Sequence, residues 1–328
     1  MFRHLPELTL QMKNPNQTSI LLKGKIIGST ARDVCSQHSK GEVLASVTDT
    51  IYLKSEAADL FWIIGENEPL HWRCIRVTGK VPRIMEGIEF SINSDQIVFA
   101  GIMKIDFSEA LEWQAKTPES SNVSSITSIY QKTRDVFTEL AKVPGSGFGR
   151  LIPAILKNMS DPSNGKGQEF QDPILRKSWN LVRDIVLESA RHNFDSILEK
   201  ADSLLGMGTG LTPSGDDFIG GLFFALHFLG NAFPEQLNFH ESHIKGFLRR
   251  NKKKTNLISF TLMQDMSTGH GLAPLHEFVN SMLTNQPNYR IVTTALELVK
   301  VGNSTGWDIL TGVLAGLIST RSYSKECQ

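Results

Sequence analysis

Disulfide and zinc frameworks have little to build on in this 328-residue chain. Its three cysteines, Cys35, Cys74 and Cys327, stand far apart without a CxxC pair, which argues against both. A reducing, cytoplasmic setting is expected. An excess of charge is also missing: Lys plus Arg equals Asp plus Glu at 34 each, so no overall field draws the molecule onto nucleic acid or an anionic membrane. Neither is expected as a partner, and any anion site must be local. The most apolar run, Phe218 to Phe233, is too short to span a bilayer and contains His227 and several glycines, so it reads as a buried core helix with His227 a core histidine. The start, MFRHLPELTLQMKNPNQ, lacks the apolar centre of a signal peptide.

Hydrophobic patterning divides the rest in two. Short β-branched and aromatic runs from Thr18 to about Phe107, among them SILLKGKII, LFWIIG and WRCIRVTG, alternate between polar breaks and predict antiparallel strands. On that strand Arg73 and Arg76 read as sheet-face pairing. No βαβ rhythm is present, so a parallel nucleotide-binding sheet is not expected. The serine-rich KTPESSNVSSITS, starting at Lys116, reads as a linker, after which the period becomes helical. The expectation is an α+β chain: a β-rich domain at 1–115, an antiparallel barrel or sandwich; a linker at 116–125; and an all-helical domain at 126–328. Helices are expected around 126–140, 174–205, 217–229, 244–266, 274–284, 289–301 and 308–319. The loop DPSNGKGQEFQDP, with Lys166 between two glycines, reads as solvated surface.

The stretch GMGTGLTPSGDDFIGG, Gly206 to Gly221, holds the chemistry. Helix punctuation accounts for part of it: Gly206 as a left-handed cap, Pro213 as a breaker, Ser214 or Asp216 as the next cap. It leaves Gly208, Gly210 and Gly215 unexplained. Repeated glycines turn backbone N–H groups toward a ligand, and a following helix start adds its positive dipole end, giving an anion cradle. No Gly-Lys-Ser/Thr ending follows, and the stretch succeeds a helix where a dinucleotide fingerprint succeeds a strand, so ordinary ATP binding is not indicated.

The same grammar recurs in NSTGWDILTGVLAGL, Asn303 to Leu317. Ser214-Gly215, Asp217 and Gly221 correspond to Thr305-Gly306, Asp308 and Gly312 at equal spacing. Gly221 and Gly312 lie inside helices, where glycine costs roughly 1 kcal/mol against alanine, so close helix packing is expected. If the two helix starts meet, two sets of donors and two aspartates face one pocket. Asp216, Asp217 and Asp308 are then caps, acceptors for a substrate amide N–H, or ligands of a hard cation such as Mg²⁺. An anion beside them needs a cation, which the run FLRRNKKKTN, Arg249 to Lys254 ahead of Thr255 and Asn256, offers unless it is only a solvated helix end. His270, between glycines in STGHGLAP, is placed in a turn that presents an imidazole or leaves it exposed.

In order and spacing, GMGTGLTPSGDD, KTNLISFTLMQDMSTGHGLAPLHEFV and VGNSTGWDILTGVLAGL resemble the motif blocks of a bacterial family first labelled a domain of unknown function. Its named member is the AllH subunit of oxamate carbamoyltransferase. The resemblance covers mainly Leu204 to Leu317, with GLTPSGDD its most specific block. It implies a subunit of a multi-protein enzyme of anaerobic allantoin and purine breakdown that converts oxalurate and phosphate to oxamate and carbamoyl phosphate. It also implies two partner subunit types and a neighbouring carbamate kinase. By motif position Gly210, Thr212, Ser214, Asp216, Asp217, Ser259, Gly269, Gly306 and Asp308 carry over. Asn256 stands where a second threonine is common and Thr305 where a serine is common.

The candidate site therefore comprises Asp216, Asp217 and Asp308 as catalytic groups. Gly208, Gly210, Thr212, Ser214, Gly215, Thr255, Ser259, His270, Ser304, Thr305 and Gly306 surround a small anionic substrate such as phosphate, oxamate or oxalurate. No metal ligand is assigned, and the cofactor is open, with Mg²⁺ one option. Two other readings share these residues: a metal-dependent hydrolase of a small amide or carboxylate, and a noncatalytic anion-binding or scaffold subunit. Ser319-Thr320-Arg321 matches the phosphate motif of familiar transcarbamoylases, but lies after the last expected helix and outside any α/β domain, so it reads as coincidence.

Overall fold

The computed structural model describes residues 20–116, 122–160, 170–237 and 241–323, with backbone only for residues 322 and 323. The N-terminal segment, Lys166 with most of its loop, part of the expected linker, and Cys327 lie outside the described residues. The chain divides into two compact units, Met1–Ala115 and Lys116–Gln328.

The first unit is an eight-stranded β-barrel with an added strand. Its strands are β1 (Ile20–Gly28), β2 (Lys40–Val47), β3 (Thr50–Ser55), β4 (Leu60–Ile64), β5 (Cys74–Val77), β6 (Glu89–Asn93), β7 (Gln96–Phe99), β8 (Met103–Asp106) and β9 (Leu111–Trp113). The sheet runs β5-β4-β3-β2-β6-β7-β8-β1-β9, and a β5–β1 pairing closes it, which removes the free edges an open sheet would expose. Strand β9 pairs with β1 beyond the stretch that β8 occupies. Most pairings are antiparallel, as the alternation predicts, but β1–β8, β1–β9 and β4–β5 are parallel. Inward residues alternate along the strands: Ile51 and Leu53, Ile97 and Phe99, Met103 and Ile105 are all fully buried. A helix that strand patterning hides, α1 (Ser29–Gln37), follows β1 directly. Its Ala31, Val34 and Cys35 recur at helical spacing and join the barrel core.

The second unit is helical: α2 (Ile126–Leu140), α3 (Ile152–Ser160), α4 (Pro173–Ser189), α5 (Phe194–Leu204), α6 (Ser214–Ala232), α7 (Glu241–Asn251), α8 (Leu257–Ser267), α9 (Ala273–Leu283), α10 (Asn288–Leu298) and α11 (Thr305–Leu317). Two expected long helices are broken. The stretch 174–205 splits at His192, which adopts a left-handed φ of 57°, and Asn193 caps α5 by accepting from Ser196 N. The stretch 244–266 splits where the Asn256 carbonyl oxygen of its side chain caps α8, accepting from Ser259 N at 3.0 Å. Asp172 starts α4 by accepting from the N–H groups of Ile174 and Leu175 at 2.9 and 3.3 Å, with Pro173 at the first helical position.

Helices α6 and α11 form the centre of this unit, buried on nearly every face. They cross through glycine. A Cβ added at Gly221 would lie 2.1 Å from the Ile309 carbonyl oxygen, and one at Gly312 would lie 1.9 Å from that of Phe218. Since Gly221 corresponds to Gly312 and Phe218 to Ile309, the contact is reciprocal, as a two-fold relation between the repeats requires. The repeat also extends backward. Ile197, Ala201 and Leu204 are the buried residues of α5, and Ile291, Ala295 and Leu298 those of α10, at identical spacing. Thus α5–α6 and α10–α11 are two copies of one helix–turn–helix unit.

Candidate functional site

Each copy of the unit builds its turn in the same way. The N–H of Gly215 donates to the Met207 carbonyl at 2.8 Å, and that of Gly306 to the Val301 carbonyl at 3.0 Å. A Cβ at Gly215 would meet the Leu204 carbonyl oxygen at 2.0 Å, and one at Gly306 that of Leu298 at 2.0 Å. These glycines therefore let each central helix begin against the last turn of the helix before it. The same bonds remove Gly215 and Gly306 from the set of anion donors. Among the described residues the N–H groups of Gly208 to Thr212 make no hydrogen bond, and Gly208 and Gly210 hold φ values of 132° and 94°, open to glycine. That loop, three residues longer than its counterpart, is where the cradle lies.

The two helix starts meet. Thr212 Oγ1 and Thr305 Oγ1 are 3.1 Å apart and share a hydrogen bond, and the Asp217 and Asp308 carboxyl groups interact beneath them. Both aspartates are buried, Asp308 completely. Burial, then the charge of Asp308, raises the Asp217 carboxyl well above its usual range, against which the Thr212 and Thr305 hydroxyls act. Burial likewise raises Asp308 to about 6, opposed first by the Phe148 N–H and then by Ser214 and Ser304. Among the described residues Oδ2 of each aspartate has no hydrogen-bond partner; the Ser214 and Ser304 hydroxyls act on Asp308 without reaching hydrogen-bond geometry at Oδ2. Two like charges in one dry space cannot both ionise freely, so the pair shares a proton over part of the pH range. A hydroxyl-lined pair of orphaned carboxyl oxygens beside free backbone donors suits a ligand that offers an N–H together with an anionic group.

Asp216 points elsewhere. Its Oδ1 accepts from Gly206 N at 2.7 Å, and its Oδ2 accepts from the hydroxyls of Ser259, at 2.7 Å, and Thr255. It fastens the glycine turn to the start of α8, together with Asn256, whose side-chain N–H donates to the Leu211 carbonyl at 2.8 Å. Asn256 thus both caps a helix and donates across, through the separate oxygen and nitrogen of one amide. Thr255 and Ser259 thus stand with Asp216, and Ser214, Ser304, Thr212 and Thr305 with the other two aspartates.

His270 joins neither group. It interacts with His227 and His276; His227 lies ten residues along α6 from Asp217, a rise of about 15 Å. A Cβ at Gly269, whose φ is 81°, would lie 2.7 Å from His227 Nε2, so that glycine packs a turn onto an imidazole. The basic run is likewise committed at its end, where Lys254 Nζ pairs with Asp202 at 2.6 Å. The hydroxyls of Ser319 and Thr320 donate to the Gly316 and Leu317 carbonyls, both at 2.7 Å. No group of three or more His, Cys, Asp or Glu side chains among the described residues is arranged to hold a metal ion.

Sequence patterning missed two features here. One is Lys177 of α4, which lines a cleft of about 360 Å³ together with Ser203, Gly206, Met207 and Gly208, placing a cation by the glycine turn. The other is the turn Gly147–Leu151, which carries Phe148 to Asp308. Its signal was PGSGFGR, Pro144 to Arg150, a glycine-dense stretch with no helical or strand period.

Residues 204–317 match the family model for oxamate carbamoyltransferase subunit AllH. The match begins at the residue whose carbonyl Gly215 packs against and ends with α11. It therefore takes in both helix starts, the α8 segment and His227, His270 and His276, about a third of the chain. The barrel and the Phe148 turn lie outside it. No solved structure matches the chain. No helix among the described residues is long and apolar enough to cross a membrane.

Proposed function

We propose that this chain is a subunit of a cytoplasmic carbamoyltransferase that interconverts oxalurate plus phosphate with oxamate plus carbamoyl phosphate, in purine and allantoin nitrogen catabolism, and that its paired helix starts form part of the site. The observation that carries this is the meeting of Asp217 and Asp308, each with an orphaned buried oxygen, beneath a glycine loop with free N–H groups. Transfer of a carbamoyl group requires donors for the phosphate and for the oxyanion at the carbamoyl carbon, and proton exchange with the leaving nitrogen. The loop from Gly208 to Thr212 supplies donors, Lys177 a nearby positive charge, and the aspartate pair the proton exchange. Asp216, Thr255 and Ser259 hold the loop in place.

The test is formation of carbamoyl phosphate from oxalurate and phosphate by this chain mixed with two other subunit types, with the chain omitted as control. Dependence on the chain is expected. Hydrolysis of an amide by the isolated chain, abolished by chelation, would overturn the reading in favour of a metal hydrolase. An unimpaired rate when Asp217→Asn is used would reduce the chain to a scaffold.

A further inference from the structure

The two aspartates are equivalent by repeat position but not by surroundings. Phe148 N donates to Asp308 Oδ1 at 2.5 Å, a bond that only an acceptor oxygen can make and that favours the charged carboxylate. The donor is set there by Gly147, whose φ is 49°; a Cβ on it would fall 2.2 Å from Asp308 Oδ1 and 2.7 Å from Oδ2. Among the described residues Asp217 receives no such backbone donor. Its neighbours are the hydroxyls of Thr212 and Thr305, which donate or accept as needed and so tolerate a carboxylic acid. Asp216 is the second carboxylate acting on Asp217, and its own oxygens are held by Gly206, Ser259 and Thr255.

We propose that the Gly147–Phe148 turn is a positioning element that fixes the proton order of the pair, making Asp308 the standing carboxylate and Asp217 the proton-carrying acid. This rests on the transfer reaction above for its chemical use. When a phosphate oxygen attacks the carbamoyl carbon and the bond from that carbon to the oxamate nitrogen breaks, Asp217 gives its proton to the nitrogen. Asp308 takes the proton of hydrogen phosphate. Return of that proton from Asp308 to Asp217 across the pair restores the starting state, and the reverse reaction runs the same transfers backward. The turn lies outside the family-matched segment, so the motif blocks alone do not contain it.

The proton order is read without activity, by carboxyl ¹³C NMR titration of the full chain with labelled aspartate, assigned with Asp217→Asn and Asp308→Asn. In the unsubstituted protein Asp308 is expected to ionise at lower pH than Asp217; its midpoint should stay nearly unchanged in Asp217→Asn, because Asp217 is still uncharged when Asp308 ionises, whereas the Asp217 midpoint should fall in Asp308→Asn, which removes the like charge. In Gly147→Ala the Asp308 midpoint should rise toward that of Asp217. Ionisation of Asp217 first, or a Gly147→Ala protein that is folded yet titrates like the parent, overturns the proposal. If Gly147→Ala does not fold, the order in the parent and the shift of Asp217 in Asp308→Asn decide alone. Absence of carbamoyl transfer would overturn the reaction while leaving the titration order as a separate result.

Discussion

Gly312 lies so close to Phe218 that a methyl group on its α-carbon would stand 1.9 Å from the Phe218 carbonyl oxygen. The reciprocal approach of Gly221 to Ile309 makes this contact the hinge-pin of the site, because the distance between the two helix axes sets the distance between Asp217 and Asp308. Gly312→Ala and Gly221→Ala should each destabilise the chain by about 1–3 kcal/mol or more through overpacking. Urea unfolding measures this, and an alanine variant as stable as the parent would show that the helices are not in such contact.

The aspartate pair should make the chain less stable as pH rises. A carboxyl whose folded pKa lies above its unfolded value binds more protons folded than unfolded in between, so its stabilising contribution is present at low pH and lost as pH rises. For Asp308 the window runs from the ordinary carboxyl value of 3.8 to about 6, and for Asp217 it extends upward from the same starting value. Asp217→Asn should therefore be at least as stable as the parent at pH 8 and show a flatter decline. Thermal unfolding at several pH values tests this; an unchanged slope would mean that the pair is not buried as described.

Removing Asp216 should cost stability. Its carboxylate gathers three donors, and hydrogen bonds to a charged group are worth roughly 1.5–3 kcal/mol each. Asp216→Ala should lose about 3 kcal/mol or more of stability, and activity with it, as the glycine turn comes away from α8. Denaturant unfolding distinguishes the two neighbours: a stable but inactive Asp216→Ala would place this residue in the chemistry.

His276 sets an acid limb. Burial, followed by the charges of His270 and His227, depresses its imidazole to about 4, and its Nε2 accepts from the Gly271 N–H at 3.1 Å. Its contribution to stability is present above the unfolded value of 6.5 and lost as pH falls toward about 4. This opposes the aspartates over the same range, so His276→Gln should steepen the net fall of stability between those values. Melting curves at pH 4 to 7 check the sign; an unaltered profile would mean that His276 is protonated in the fold.

The sequence made both fold class and pair legible for physical reasons. Alternation along runs such as TIYLK exposes a half-buried strand, and the matched Ser/Thr-Gly, Asp and Gly spacing forecasts two helix starts packed through glycine. What escaped was decided by contacts distant in sequence. The adjacent Asp216 and Asp217 look alike on paper, yet one turns to α8 and the other to Asp308. His270 looks like a loop ligand until α6 is given its length. The Phe148 turn has no periodicity, and its role depends on a partner 160 residues away. Parallel pairing of β1 with β8 and closure through β5 are properties of the whole barrel, which no local run encodes.

The central claim is that the paired helix starts carry proton exchange in carbamoyl transfer. It is tested most directly by measuring carbamoyl phosphate formation from oxalurate and phosphate with the assembled subunits, using the parent chain and Asp217→Asn in parallel. Loss of about 100-fold or more in rate with the complex intact, the scale of a missing acid–base group, is the predicted result. A complex that assembles with Asp217→Asn and turns over at the parent rate would contradict it.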